Sequence, residues 1–329
     1  MKYLILCFFC FFHLAAQGSV TTTKLQFNTL NGKVTLSGVS SGAFFATQLF
    51  MAHSSRIQGF ASLAGGIYNC AEGSSQKAQS VCMANPQSIQ VQTHFRKAQQ
   101  LASAGLIDDL SNLKSARTFI YAGKSDSIVR PQASTKLQEF LLQWMKPEQV
   151  ETNFEIGSGH GWITEDFGNS CTSSAKPWIN NCGINLAEDF MNFFKGSDLT
   201  NQNPIQFSEN LIEFDQTPYA EANSGLDKKG FIYIPKKCAQ GQICAAHISF
   251  HGCAMGYEYL QKTFVTNTGL NEWAEKNQTV VLYPQIAKSA QMNNPNGCWD
   301  WYGYTGENYI NQKGPQIKSI YNMIQKMFQ

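Results

Sequence analysis

Short apolar runs that stop at a glycine recur along this chain, and they constrain its fold more than any other feature. Residues 33–37 run into Gly38, residues 59–63 stop at Gly65-Gly66, residues 117–122 end at Gly123, residues 150–156 at Gly157, and residues 246–250 at His251-Gly252. Each is long enough for a strand and too short for a helix. Stretches of helical character stand between or after them, over 43–53, 90–104, 131–145, 267–276 and 316–328, with further strands over 230–234 and 279–283. Strands separated by helices imply an α/β protein with a mostly parallel sheet covered on both faces.

The first residues are not part of that pattern. Lys2 precedes an apolar run over 3–14, and the small residues Ala15, Ala16 and Gly18 follow. This is the profile of a cleavable secretory signal over 1–18, and the run falls short of the roughly 20 apolar residues a spanning helix needs. Of ten cysteines, Cys7 and Cys10 lie in this segment, leaving Cys70, Cys82, Cys171, Cys182, Cys238, Cys244, Cys253 and Cys298. An even set in an exported chain points to disulfides. Proximity favours Cys70 with Cys82, Cys171 with Cys182 and Cys238 with Cys244, which leaves Cys253 with Cys298. No Cys/His spacing suits zinc.

Charge says little about partners. A net charge of +2 without a Lys/Arg cluster argues against nucleic acid or a membrane surface. No repeat or Pro/Ser/Thr-rich linker is present, so residues 19–329 read as a single catalytic domain, expected to be a monomer. The polar stretch 196–203 is the best seam between its halves.

The turn Gly38-Val39-Ser40-Ser41-Gly42 sits between an apolar strand and a helix. A G-x-S-x-G turn in that setting lifts the serine hydroxyl above the sheet, so Ser40 is the candidate nucleophile. A serine needs a base, and the base an orienting carboxylate. In the α/β-hydrolase fold these follow in the order serine, acid, histidine, on loops after strands. Asp126 lies just past the strand over 117–122, and His160 follows the strand over 150–156 in Gly-Ser-Gly-His-Gly. The rivals fit less well: Asp108 and Asp109 precede their strand, His53 ends a helix, His94 is mid-helix and His247 is within a strand. The His251-Gly252-Cys253 loop ends a strand and supplies a backbone oxyanion donor, so the amides of Ser41 and Cys253 are the expected oxyanion hole.

That loop usually precedes the nucleophile strand, yet here it follows by roughly 210 residues. Joining the C-terminus to the mature N-terminus would restore the usual order. The chain therefore reads as a circularly permuted α/β-hydrolase whose halves fold together.

On these residues the chain resembles the secreted single-domain poly(3-hydroxybutyrate) depolymerases. The resemblance covers nearly the whole mature chain. It rests on Ser37 to Gly42, Ala64-Gly65-Gly66-Ile67-Tyr68, Ser125-Asp126, His160 followed by Thr164-Glu165-Asp166-Phe167, His251-Gly252-Cys253, and Asn294-Pro295-Asn296-Gly297-Cys298-Trp299-Asp300-Trp301. It implies a triad of Ser40, His160 and Asp126, oxyanion amides at Ser41 and Cys253, disulfides as above, and hydrolysis of short-side-chain polyesters outside the cell without cofactor or metal. Lys124 and Arg130 depart from it by flanking the acid loop with charge. A carboxylesterase on feruloyl or acetyl esters is the alternative within the same chemistry, and a non-catalytic binding protein on this scaffold the alternative outside it. If Cys298 bonds Cys253, then Trp299, Trp301 and Tyr302 are placed to line a subsite for an apolar acyl unit, with Asp300 as their partner or a loop cap.

Overall fold

The apolar runs assemble into one eight-stranded sheet in the computed structural model, which describes Leu25, Phe27, residues 30–195 and residues 210–329. The signal read over 1–18 and the seam over 196–203 lie outside the described residues. The strands in chain order are β1 (Leu30–Val39), β2 (Ile57–Leu63), β3 (Arg117–Tyr121), β4 (Val150–Asn153), β5 (Trp162–Thr164), β6 (Asn169–Ser170), β7 (Ile179–Asn181), β8 (Leu211–Asp215), β9 (Lys229–Tyr233), β10 (Cys244–Phe250) and β11 (Thr279–Tyr283). The large sheet has the order β4-β3-β2-β1-β10-β11-β9-β8, parallel except where β9 pairs with β11 and with β8. Strands from the second half occupy one side and strands from the first half the other. They meet where β1 pairs with β10, Ser37 opposite Ser249 and Gly38 opposite Phe250. This is the α/β-hydrolase sheet in permuted chain order.

Side chains alternate along each strand, and both sets are buried. Val34, Leu36, Ile248 and Leu282 join one core, while Val39, Val281 and Tyr283 join the other. Helices α1 (Ser41–Ala52), α2 (Val91–Ser103), α3 (Gln132–Leu141) and, from the far end of the chain, α6 (Pro315–Met327) pack on the first core. Helices α4 (Leu186–Lys195) and α5 (Leu270–Asn277) cover the second. Helix α1 is buried along its whole length, which explains its nearly unbroken apolar sequence.

The expected strands and helices are present with ends shifted by a few residues. Helix α4, edge strand β8 and a small sheet of order β5-β7-β6 went unread. The cysteines pair as proximity suggested: Cys70–Cys82, Cys171–Cys182, Cys238–Cys244 and Cys253–Cys298. No helix among the described residues is long and apolar enough to cross a membrane.

Candidate active site

Between β1 and α1 there is room for one residue, Ser40. It adopts φ 55° and ψ −123°, a left-handed backbone that a non-glycine residue avoids at a cost of about 1–3 kcal/mol. The surroundings hold it there: its N–H donates to the Leu63 carbonyl at 2.9 Å, and its own carbonyl accepts from Ala43 and Phe44. The two glycines of the turn are steric necessities. A Cβ on Gly38 would stand 2.4 Å from the Gly42 oxygen, and one on Gly42 would stand 2.4 Å from the Phe250 oxygen.

The loops after β3 and β4 are stitched to each other in the same way. A Cβ on Gly123 would lie 2.3 Å from the Ser158 carbonyl oxygen. Lys124 donates through its N–H to Ile156 at 2.8 Å and Ser125 to Ser158 at 3.0 Å. This brings His160 Nδ1 to 2.7 Å from Asp126 Oδ2, with both residues buried. The other carboxylate oxygen accepts from the amides of Ile128 and Val129, each at 2.9 Å, so the acid is fixed from both ends. With Nδ1 donating to the carboxylate, Nε2 is the acceptor available to a hydroxyl. The small sheet, tied by Cys171–Cys182, supports the histidine: Ser174 Oγ accepts from the His160 amide at 2.8 Å, and Trp178 meets the imidazole edge-on at 6.2 Å.

The third loop enters from β10. Gly252 lies under Ser40, where a Cβ would be 3.3 Å from Ser40 Cβ. Among the described residues neither the Ser41 N–H nor the Cys253 N–H has a protein acceptor. His251 serves the loop as a neutral ring: Nδ1–H donates to the Gly252 carbonyl at 2.8 Å and Nε2 accepts from Ile286 at 3.3 Å. Its burial lowers the pKa to about 4. The Cys253–Cys298 bond and a hydrogen bond from the Ala254 amide to the Asn296 carbonyl join this loop to the aromatic segment.

Ser40, His160, Cys253 and Cys298 line one cavity of about 930 Å³. Trp301 and Tyr302 line it too, and Trp301 stacks on Phe44 at 4.1 Å. Trp299 does not. It is fully buried, packed on Phe45 at 4.7 Å and Phe250 at 4.9 Å. Asp300 caps the loop, its carboxylate accepting from the amides of Tyr302, Gly303, Tyr304 and Thr305. Lys124 pairs with Glu155 at the exposed surface, and neither it nor Arg130 lines the cavity. Met83, Ile128, Trp178 and Tyr304 are also part of the wall, and nothing local in the sequence marks them.

The rivals hold structural posts. Asp108 accepts from Ser55 and Gln312, Asp109 caps a short helical turn, and His53 stacks on Tyr321 at 3.7 Å. His247 is enclosed between Thr35 Oγ1 and Ser37 Oγ, each at 2.8 Å. Among the described residues no group of His, Cys, Asp or Glu is arranged to hold a metal.

No family model matches the chain. Over 298 residues it is 34% identical to a poly(3-hydroxybutyrate) depolymerase of Delftia acidovorans, a match covering 90% of this chain and 59% of that protein, so the chain spans less than two thirds of that relative. It is 32% identical to a polyhydroxybutyrate depolymerase of Talaromyces funiculosus, with 95% of each covered. Among solved structures it resembles a PHB depolymerase carrying a serine-to-alanine substitution and complexed with an R3HB trimer, with a TM-score of 0.86, 31% identity, and 93% of this chain and 99% of that one covered. A likeness that runs through both halves of the permuted sheet, and along nearly all of the Talaromyces protein, places this chain in the polyhydroxybutyrate depolymerase family of carboxylic ester hydrolases.

Proposed function

We propose that the chain hydrolyses poly(3-hydroxybutyrate) or its oligomers through an acyl-enzyme on Ser40. The observation that carries this reading is the 2.7 Å bond from His160 Nδ1 to the buried Asp126 beside the strained serine turn. His160 Nε2 takes the Ser40 proton as the hydroxyl attacks the ester carbonyl, and Asp126 holds the ring in that tautomer. The amides of Ser41 and Cys253, free of protein acceptors, stabilise the tetrahedral oxyanion, a contribution of about 10²–10³ in turnover per donor. His160 then protonates the leaving alcohol, and water attacks the acyl-serine by the same steps in reverse. Trp301 and Tyr302 give the acyl unit an apolar wall. The names of the relatives and the trimer bound to the similar structure support this substrate class.

The four disulfides support an oxidising destination, with residues 1–18 as a cleaved signal and residues 19–329 acting as one catalytic domain and as a monomer. The test is product analysis on amorphous poly(3-hydroxybutyrate) with a Ser40→Ala control. Hydroxybutyrate and its oligomers should appear with the wild type alone. Turnover of aryl or acetyl esters with an untouched polymer would overturn the substrate, and full activity of Ser40→Ala would overturn the nucleophile.

A further inference from the structure

The catalytic cavity has a polar neighbour. A second cavity of about 520 Å³ opens beside it, and Gly73 lines both. The divide carries no side chain at this point. A Cβ on Gly73, at φ +79°, would meet nothing within 4 Å, while one on Gly303, which lines the catalytic cavity, would stand 2.9 Å from Gly73 Cα. Two glycine backbones in contact therefore make a low saddle. Tyr309 holds it in place, its hydroxyl accepting from the Gly73 amide at 3.0 Å and donating to Asn69 Oδ1 at 2.9 Å.

Beyond the saddle the chemistry changes. The catalytic cavity offers Met83, Ile128 and Trp301, whereas the second is lined by His94, Arg96 and Lys97 of α2. Arg96 donates through Nε to the Gln92 carbonyl of its own helix, and among the described residues neither Arg96 nor Lys97 has a carboxylate partner. Of the two acids on this wall, Glu72 is taken by Lys77 at 2.6 Å, and Glu307 has no ion-pair partner among the described residues, so Arg96 and Lys97 face one unpaired acid and cations are in excess. His94 is 4% exposed, donates to the Tyr68 carbonyl, and keeps a buried Nδ1 without a partner among the described residues.

We propose that this second cavity is a distal subsite for the carboxylate end of the polyester fragment that departs as the alcohol. The inference rests on the ester hydrolysis proposed above. When Ser40 captures the acyl fragment, the scissile ester oxygen leaves with a proton as a new hydroxyl, and the departing fragment keeps the original chain-end carboxylate. A fragment long enough to cross the Gly73–Gly303 saddle brings that carboxylate to Arg96 and Lys97, where charge-assisted hydrogen bonds hold it. Shorter fragments end inside the apolar cavity and gain nothing from those cations.

The experiment compares hydroxybutyrate oligomers of rising length, each as the free acid and as its methyl ester, in the wild type and in an Arg96→Gln/Lys97→Gln variant. The ratio of kcat/KM for acid over ester is read within each protein, so a general loss of activity cancels. In the wild type the ratio should rise from near one to about tenfold once the oligomer spans the saddle, and in the variant it should stay near one at every length. A wild-type ratio flat with length, or one the variant retains, would overturn the subsite while leaving hydrolysis intact. Absence of turnover on every oligomer, acid and ester alike, would overturn the proposed activity and the subsite with it.

Discussion

Gly42 lies against the carbonyl oxygen of His251 so closely that a Cβ on the glycine would stand 2.4 Å from it. Backbone faces backbone, so neither side relieves a clash by turning a side chain. This contact fixes the Ser40 turn to the His251–Cys253 loop, two pieces from opposite halves of the chain. Gly42→Ala is expected to lower stability by about 1–3 kcal/mol and to cut ester turnover sharply, as read by denaturant unfolding and steady-state rates. A variant as stable and active as the wild type would show that the two loops are not coupled here.

Asp126→Asn keeps an acceptor for the Ile128 and Val129 amides but presents an N–H to His160 Nδ1. The imidazole is then held in the wrong tautomer, and kcat should fall by about 10⁴ while the circular dichroism spectrum stays that of the wild type. A loss of less than tenfold would remove Asp126 from the triad.

Cys253–Cys298 closes a loop with a sequence separation of 45, against 6 for Cys238–Cys244. By chain entropy, replacing the first pair with alanines costs about 4 kcal/mol and the second about 2 kcal/mol. The first pair also lines the cavity that holds Ser40 and His160. Its loss should therefore lower kcat/KM as well as Tm, whereas loss of the second should lower Tm alone. Equal effects of the two on kcat/KM would contradict this.

Burial pushes the pKa of His247 from 6.5 down to about 3. The unfolded chain takes up this proton near pH 6.5 and the folded one does not, so its contribution is complete above pH 6.5. It is lost as pH falls from 6.5 towards 3, by up to about 1.4 kcal/mol per pH unit. His53 and His251, lowered to about 4 by the same cause, act in the same direction. Urea unfolding between pH 7 and pH 4 should show falling stability, with a shallower slope in His247→Gln. An unchanged slope would mean the ring takes its proton within the fold.

The strands were legible because each carries a run of apolar residues and stops at a glycine, and those glycines have steric reasons that hold across distant loops. The Asp126–His160 contact was legible for a related reason: both residues follow strands that lie side by side as β3 and β4. Trp299 and Trp301 were not separable, because two identical rings two positions apart carry no mark of which one faces the wall's interior. Strand β8 escaped notice because it is a half-buried edge, so Leu211, Ile212 and Glu213 lack the closed apolar run of a central strand. The small sheet escaped too, since segments of two or three residues have no periodicity to read and are held by the Cys171–Cys182 bond and the packing around His160.

The pairing of β1 with β10 sets a timetable for the nascent chain. Ser40, Asp126 and His160 have all been synthesised by residue 160, yet Cys253 follows only after a further stretch that takes roughly 5–20 s at ordinary elongation rates. In the finished sheet β1 lies between β2 and β10, so until residues 244–250 have been made one edge of β1 has no partner strand to pair with. On the proposed assignment the emerging polypeptide holds Ser40, Asp126, His160 and the Ser41 amide before the second oxyanion donor, Cys253, so full esterase activity is expected only once most of its length has been made. The same edge, beside Ser40, is the place where a chaperone would do most to prevent misassociation.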